Sequence, residues 1–480
     1  MGKSYLLFLN LFIFGLIFFS CDLDKIEPEG NSLFASFSYY NGGCKAPCQV
    51  DFTNTSIGAN RYEWDFGDGS PIDTHTHPVH TFQVPGDYQV ELKVFGISGI
   101  DVDSQVINIQ VSSFVQQFGG LFSDTGNQVQ QTSDGGYIIV GCTFSLGAGW
   151  GDVYLIKTNS SGEIVWEKTF GGSGYDLGSS VQQTSDGGYI IVGFTSSYGF
   201  GSSDVYLIKT NSSGGIEWEK TFGGSAEDYG NSVQQTIDGG FIVVGTTYSL
   251  GAGEGDVYLI KTNSSGEIVW EKTFGGSDYD RGSSVQQTPD GGYIIVGDSQ
   301  SYLGDQGEEV YLIKINSLGG VVWEKTFGGN SPGSDIGNQV QQTSDGGYVI
   351  SGLTFSYGVS WGDVYLIKTN SAGGVIWEKT FGGSDHDGGW AVQQTSDGGY
   401  IIAGNTYSLG VGGGDGYLLK TNSSGGVIWE KTFGGIDDDC FKFVHQAVDG
   451  GYIIVGYTES SGAGSNDIYL IKTDMNGNVQ

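Results

Sequence analysis

The stretch "DGGYIIVGCT", Asp134–Thr143, decides how this chain is read, because close copies of it return six more times. An Asp followed by two glycines stands at Asp134, Asp186, Asp238, Asp290, Asp345, Asp397 and Asp449, in steps of 52, 52, 52, 55, 52 and 52 residues. Self-similarity at such a period marks a repeat architecture, each unit being one supersecondary element. Around the first marker, "NQVQQT" (Asn127–Thr132) reads as a polar strand, while "GYIIVGCT" (Gly136–Thr143) and "DVYLIKTN" (Asp152–Asn159) read as strongly apolar ones. "EIVWEKTF" (Glu163–Phe170) alternates, with Trp166, Lys168 and Phe170 on one face. "SDGG" and "NSSG" supply tight turns, where glycine takes backbone angles closed to other residues. Four antiparallel strands per unit, two of them apolar on both faces, predict a propeller blade. A β-solenoid is the other architecture that such a period allows.

Outward from the repeats, "SSFVQQFGG" (Ser112–Gly120) is a partial copy of the fourth strand, with Phe114 at the position of Trp166 and Phe118 at that of Phe170. The seventh unit runs through "NDIYLIKTD" (Asn466–Asp474) and supplies three strands. The expectation is a seven-bladed β-propeller of four-stranded blades over 112–480, closed by an N-terminal outer strand. Closure removes edges that would otherwise pair with other chains. The repeats resemble a widespread family of "DGGYIIVG…DVYLIKT…WEKTFGG" repeats in secreted bacterial and archaeal proteins. More distantly they resemble kelch and pyrroloquinoline-quinone-type propellers. These resemblances imply a propeller and assign no activity.

Residues 32–111 carry short period-2 runs between Gly, Pro, Asn and Asp turns, which predicts an antiparallel sandwich. "YEWDFGDGS" (Tyr62–Ser70), "HTF" (His80–Phe82) and "PGDYQVELKV" (Pro85–Val94) closely resemble the PKD domain, an immunoglobulin-like β-sandwich. That resemblance implies a spacer or adhesion module without a catalytic site of its own. His75, His77 and His80, with Asp73, allow a metal reading; packing of His80 beside its strand is the plainer one.

The N-terminus, "MGKSYLLFLNLFIFGLIFFSC", has a basic residue, an apolar run and a small residue before Cys21. "FFSC" resembles a bacterial lipoprotein processing box, which implies a signal peptide over 1–20, lipid on Cys21 and a polar tether over 21–31. An ordinary signal peptide, or an uncleaved anchor with Cys21 incidental, is the alternative. Cys44 and Cys48 sit four apart in "CKAPC", and in an exported chain a local disulfide is expected. Cys142 and Cys440 are read as separate buried thiols, a bond between them being the alternative.

Composition narrows the functions. A formal net charge of -34, with only Arg61 and Arg281 as arginines, opposes nucleic-acid binding. Aromatic content of 13% is too high for a disordered acidic chain. Comparison of the units shows one variable face, on which Trp150, Tyr198, Phe200, Tyr302, Trp361, Trp390 and Tyr407 stand among glycines. Exposed rings suit a glycan or protein ligand; folding over the blade edges is the other reading. A second series, Asp124, Asp176, Asp228, Asp280, Asp335, Asp387 and Asp439, precedes each first strand. It would form a ring that either holds Ca2+ or caps local backbone N–H groups. Asp152, Asp204, Asp256, Glu309, Asp363, Asp415 and Asp467 form a third series with the same capping reading.

The propeller lacks the arginine cluster of a sialidase, and His386 and His445 are its only histidines. The paired adjacent cysteines often seen in quinone propellers are also missing. The function expected is therefore a cell-surface binding, adhesion or scaffold lipoprotein. It would be a monomer, held to the membrane only by lipid, recognising a glycan or an extracellular protein, with no catalytic residue assigned. The alternative is a polysaccharide-acting enzyme using carboxylates on the variable face.

Overall fold

The computed structural model describes residues 33–479 except 41–47, 84–85, 97–101, 112, 303–306, 330–332 and 359–360. Cys21 and Cys44 lie outside the described residues; Cys48 is disulfide-bonded. The chain is all-β. Strands β1 (Phe37–Tyr40), β2 (Cys48–Asn54) and β4 (Val79–Phe82) form one sheet. A second holds β3 (Ala59–Asp65), β5 (Gly86–Gly96) and β6 (Val102–Val111). Alternation along β2 and β5 turns Val50, Phe52, Val90, Leu92 and Val94 inward onto the buried Trp64, the core of an immunoglobulin-like sandwich. His80 stacks on Phe66 at 3.8 Å between ring centroids and bonds Asp68 at 2.6 Å. That is a packing role.

Seven four-stranded antiparallel sheets follow, an arrangement consistent with a β-propeller. The first contains β8 (Asp124–Gln131), β9 (Tyr137–Thr143), β10 (Asp152–Thr158) and β11 (Ile164–Phe170). Strands β12 to β31 repeat this order in five more sheets between Asp176 and Phe433. The seventh combines β32 (Asp439–Gln446), β33 (Tyr452–Thr458) and β34 (Asp467–Thr473) with β7 (Phe114–Phe118) from the far end of the chain. Lys472 pairs with Phe114 and Ile468 with Phe118, just as Lys157 pairs with Trp166 and Val153 with Phe170.

Side-chain chemistry explains the repeated phrases. The two middle strands of each sheet are buried along all or nearly all of their length, completely so in β9 and β10, so they must be apolar on both faces. Each carries one buried lysine on its third strand, satisfied under the Asp–Gly–Gly turn. Lys157 donates to Asp134 at 3.0 Å and to the Thr158 carbonyl at 2.8 Å. Burial works against ionisation of Asp186, but hydrogen bonds from Thr184, Gly188 and Lys209 overcome it and hold the carboxyl down to about 2. The second glycine of the turn is obligatory, since a Cβ at Gly136 would lie 2.1 Å from the Thr158 oxygen. On the outer strand, Glu167 accepts the Tyr154 hydroxyl, and Glu271 accepts that of Tyr258 at 2.6 Å.

Neighbouring sheets lock in register. Trp166 covers Gly214 of the next unit, Trp429 covers Gly477, and Phe114 covers Gly162 of the first unit. Amide side chains of one inner strand accept N–H groups of the next, as in Gln183 N to Gln130 Oε1 at 2.6 Å and Gln446 N to Gln393 Oε1 at 2.5 Å. The seventh unit reaches the first through Val448 N to Gln131 Oε1 at 3.0 Å and Asp124 N to the Asn466 oxygen at 2.7 Å.

Two details distinguish the seventh unit. Its Asp449 is 1% exposed, whereas Asp134, Asp186, Asp238, Asp290, Asp345 and Asp397 are 56–64% exposed. Tyr88 of the sandwich feels this carboxylate: burial first, then the charges of Asp68 and Asp449, push its hydroxyl up to about 12. In addition, Phe441 stands where the other inner strands have glycine, and its ring fills the space left by Gly416, where other units have Val or Ile.

Deleting residues 112–118 should leave β34 as an open edge, so that the protein elutes from a sizing column as aggregate rather than monomer; a folded monomeric product would refute the role of β7. Gly416→Val should overpack against Phe441 and cost about 1–3 kcal/mol in denaturant unfolding. Adding Phe441→Gly should recover part of that loss, and a simple sum of the two effects would show that the pair is not coupled.

Candidate functional site

Each inner strand opens with Asp–x–Gly–x in six of the seven units, and the pairing register slips between its third and fifth residues. The glycine is required by the neighbouring sheet: at Gly178 a Cβ would lie 2.5 Å from Val140 Cγ2. A bulge re-aims the residue it leaves unpaired. Here that is the fourth residue, and the seven of them, Asn127, Ser179, Asn231, Ser283, Asn338, Trp390 and Lys442, line one open cavity of about 450 Å³. Deeper in, a second cavity of about 210 Å³ is lined by Gln130, Gln182, Gln234, Gln286, Gln341, Gln393 and His445. Burial pushes the His445 pKa down.

The mouth is aromatic on one side. Phe194, Tyr229, Tyr248 and Tyr279 line it and touch in series, with ring centroids 4.9, 6.3 and 6.1 Å apart. The Tyr229 hydroxyl donates to Glu227 at 2.7 Å. Across the opening, the Trp390 indole N–H donates to Asn405 at 2.8 Å, which fixes the ring, and Lys442 Nζ stands 4.0 Å above it. Arg281 is held by Asp298 through Nε at 2.9 Å and Nη2 at 2.7 Å. Burial pushes the Asp298 carboxyl up to about 6, and Arg281 opposes that rise. No Asp or Glu is among the residues that line the mouth.

The aromatic candidates read from the sequence do not assemble into one patch. Trp390 alone lines the mouth. Tyr198 folds back so that its hydroxyl donates to the Gly171 carbonyl at 2.8 Å, and Tyr302 bonds Tyr311 at 2.9 Å; both act as local lids. Tyr407 packs beside His386 at 6.0 Å between ring centroids. Phe200 and Trp361 project at 94% and 64% exposure, and Trp150 lies with Phe122 and Phe144 along a separate groove. What sequence reasoning missed is Tyr229, Tyr248, Tyr279, Phe194, Arg281 and Lys442. The signal was available for Lys442: it breaks a column that is Asn or Ser in five units and Trp in one.

The seven Asp residues before the inner strands are buried and engaged locally. Asp176 Oδ2 accepts Gly172 N–H at 2.8 Å and the Ser197 hydroxyl at 2.6 Å, and Asp439 does the same with Gly435 and Ser460. Among the described residues no group of three or more His, Cys, Asp or Glu is placed to hold a metal ion. The structure therefore does not bring Asp124, Asp176, Asp228, Asp280, Asp335, Asp387 and Asp439 together as a Ca2+ centre; each closes its own loop. Asp152 caps likewise, accepting Ala148 and Gly149 N–H groups at 3.0 and 3.2 Å. Cys142 and Cys440 are free and buried.

Comparison with known proteins agrees with this architecture. Residues 37–111 match the PKD domain model. No curated protein matches the chain. Among solved structures it is similar to Sqt1 from Chaetomium thermophilum (12% identity, 72% of this chain and 83% of that one, TM-score 0.42). It is also similar to PorZ, a surface component of the type-IX secretion system of Porphyromonas gingivalis (9%, 90% and 61%, TM-score 0.41), and to the Pan2 WD40 domain of Neurospora crassa (9%, 81% and 85%, TM-score 0.32). Residues 151–403, more than half of the chain, match the model described as outer membrane protein assembly factor BamB, and the protein belongs to that family.

Proposed function

We propose that the seven sheets close into a seven-bladed propeller and that the protein is a surface-held binding protein whose mouth takes a glycan. The observation that carries this reading is the composition of the mouth. Aromatic rings stand on two sides of a cavity whose remaining wall is mostly Asn and Ser, with Leu177, Thr246, Arg281 and Lys442. Ring faces supply apolar area at low entropic cost, and amide and hydroxyl groups match sugar hydroxyls. Glycoside hydrolysis needs two facing carboxyl groups, and the lining of the mouth offers none, which favours binding over turnover. A scaffold role in the outer membrane is the second reading, favoured by membership of a family described as an assembly factor.

Full-length protein applied to arrays of oligosaccharides and extracellular proteins distinguishes the two. The expected result is a glycan hit weakened about tenfold or more by Trp390→Ala or Tyr279→Ala. Capture of proteins alone would favour the scaffold, and turnover of a polysaccharide would favour an enzyme. Attachment is proposed through lipid on Cys21. Labelled palmitate should enter the wild-type protein and not Cys21→Ser; equal labelling of both would refute the anchor.

A further inference from the structure

The mouth is electrostatically out of character with the rest of the molecule. The chain carries 54 acidic and 20 basic residues, yet the mouth is lined by two cations and no carboxylate. Lysines elsewhere in the repeats occupy two fixed positions, one on the third strand and one on the outer strand. Lys442 alone departs from them, on β32 and at the bulged position that points into the mouth. The two cations also differ from one another. Arg281 is neutralised by Asp298, which is 2% exposed beneath it. Lys442 makes no ion pair among the described residues, and its ammonium rests over Trp390 and, at 5.9 Å, Tyr457. Two carboxylates bonded to mouth residues, Asp298 and Glu227, are taken by Arg281 and by the Tyr229 hydroxyl.

An ammonium held on an aromatic face in a concave site, without a counter-ion, is a seat for an anion. Charge-assisted hydrogen bonds from such a group are about twice as strong as neutral ones. We infer that the mouth selects acidic saccharides, with the carboxylate of a uronate-type sugar paired to Lys442 and sugar rings against the aromatic wall. This rests on the glycan reading above and adds to it the charge of the ligand. It also gives the acidic surface a consequence: at low salt the surrounding charge repels a polyanion, and the mouth is where that repulsion is locally reversed.

The test compares oligogalacturonides with their methyl esters, which share a backbone and differ in charge, within a panel of neutral and acidic oligosaccharides. The acid form should bind the full-length protein about tenfold more tightly than the ester, the size expected of one charge-assisted contact. Lys442→Gln should bring that ratio close to one, and Lys442→Arg should preserve it; unchanged melting of both variants shows that the fold is intact. Equal affinity for acid and ester, or a ratio that Lys442→Gln does not alter, overturns the inference and leaves glycan binding standing. Binding of none of the panel overturns both.

Discussion

The edge of a β-sheet facing a central cavity is a problem that the rest of this structure depends on solving. Seven inner strands each present a row of backbone N–H groups that their own sheet does not use, and a buried N–H without a partner costs about as much as a lost hydrogen bond. The solution is the "VQQ" phrase. The first Gln of one unit accepts the N–H of the second Gln in the next, as in Gln182 with Gln235 and Gln234 with Gln287. The second Gln accepts an N–H in the preceding turn, as Gln183 does from Ser133. Each unit is therefore completed by its neighbour, and a lone repeat would be left with unsatisfied groups on both sides. The seventh unit has His445 in place of the first Gln, so its contact with the first unit relies on Gln131 and on the strand borrowed from residues 114–118.

Much of this was legible in the sequence because the fold is written seven times. Period, strand order, and the equivalence of Phe114 with Trp166 needed only alignment of the chain with itself. The middle strands are apolar on both faces because both are covered, and that leaves a plain mark. The mouth left a fainter one. Its position depends on a bulge, which shifts side-chain direction by one residue and cannot be read from alternation alone. Trp390 was picked out for being aromatic, not for its place. Tyr229 and Tyr279 look like ordinary variation until the bulge and the neighbouring sheets set them beside one another. The conspicuous loop aromatics misled for a related reason: Tyr198 and Tyr302 spend their hydroxyls on nearby groups, a use that spacing does not reveal.

Near-identical repeats invite mispairing, since any unit's edge fits any other's. Phe441 and Gly416 answer this locally. A ring in one sheet and a missing side chain in the preceding one match only at the junction of the sixth and seventh units. The same inner strand carries Lys442, Phe443 and His445, so the unit that breaks the pattern at the junction also breaks it in the cavity. Order among the units and asymmetry at the mouth thus come from one strand.

The burial of Asp449 has a wider meaning. The Asp–Gly–Gly turns follow the C-terminal ends of the inner strands, whereas the mouth opens near their N-terminal ends. The Asp449 carboxylate that acts on Tyr88 of the sandwich therefore lies at the end of the inner strands opposite the mouth. The influence of the sandwich and access to the mouth thus fall at opposite ends of the same strands. For the glycan proposed above, a polymer far longer than the cavity needs only the few units that cross the mouth to fit it.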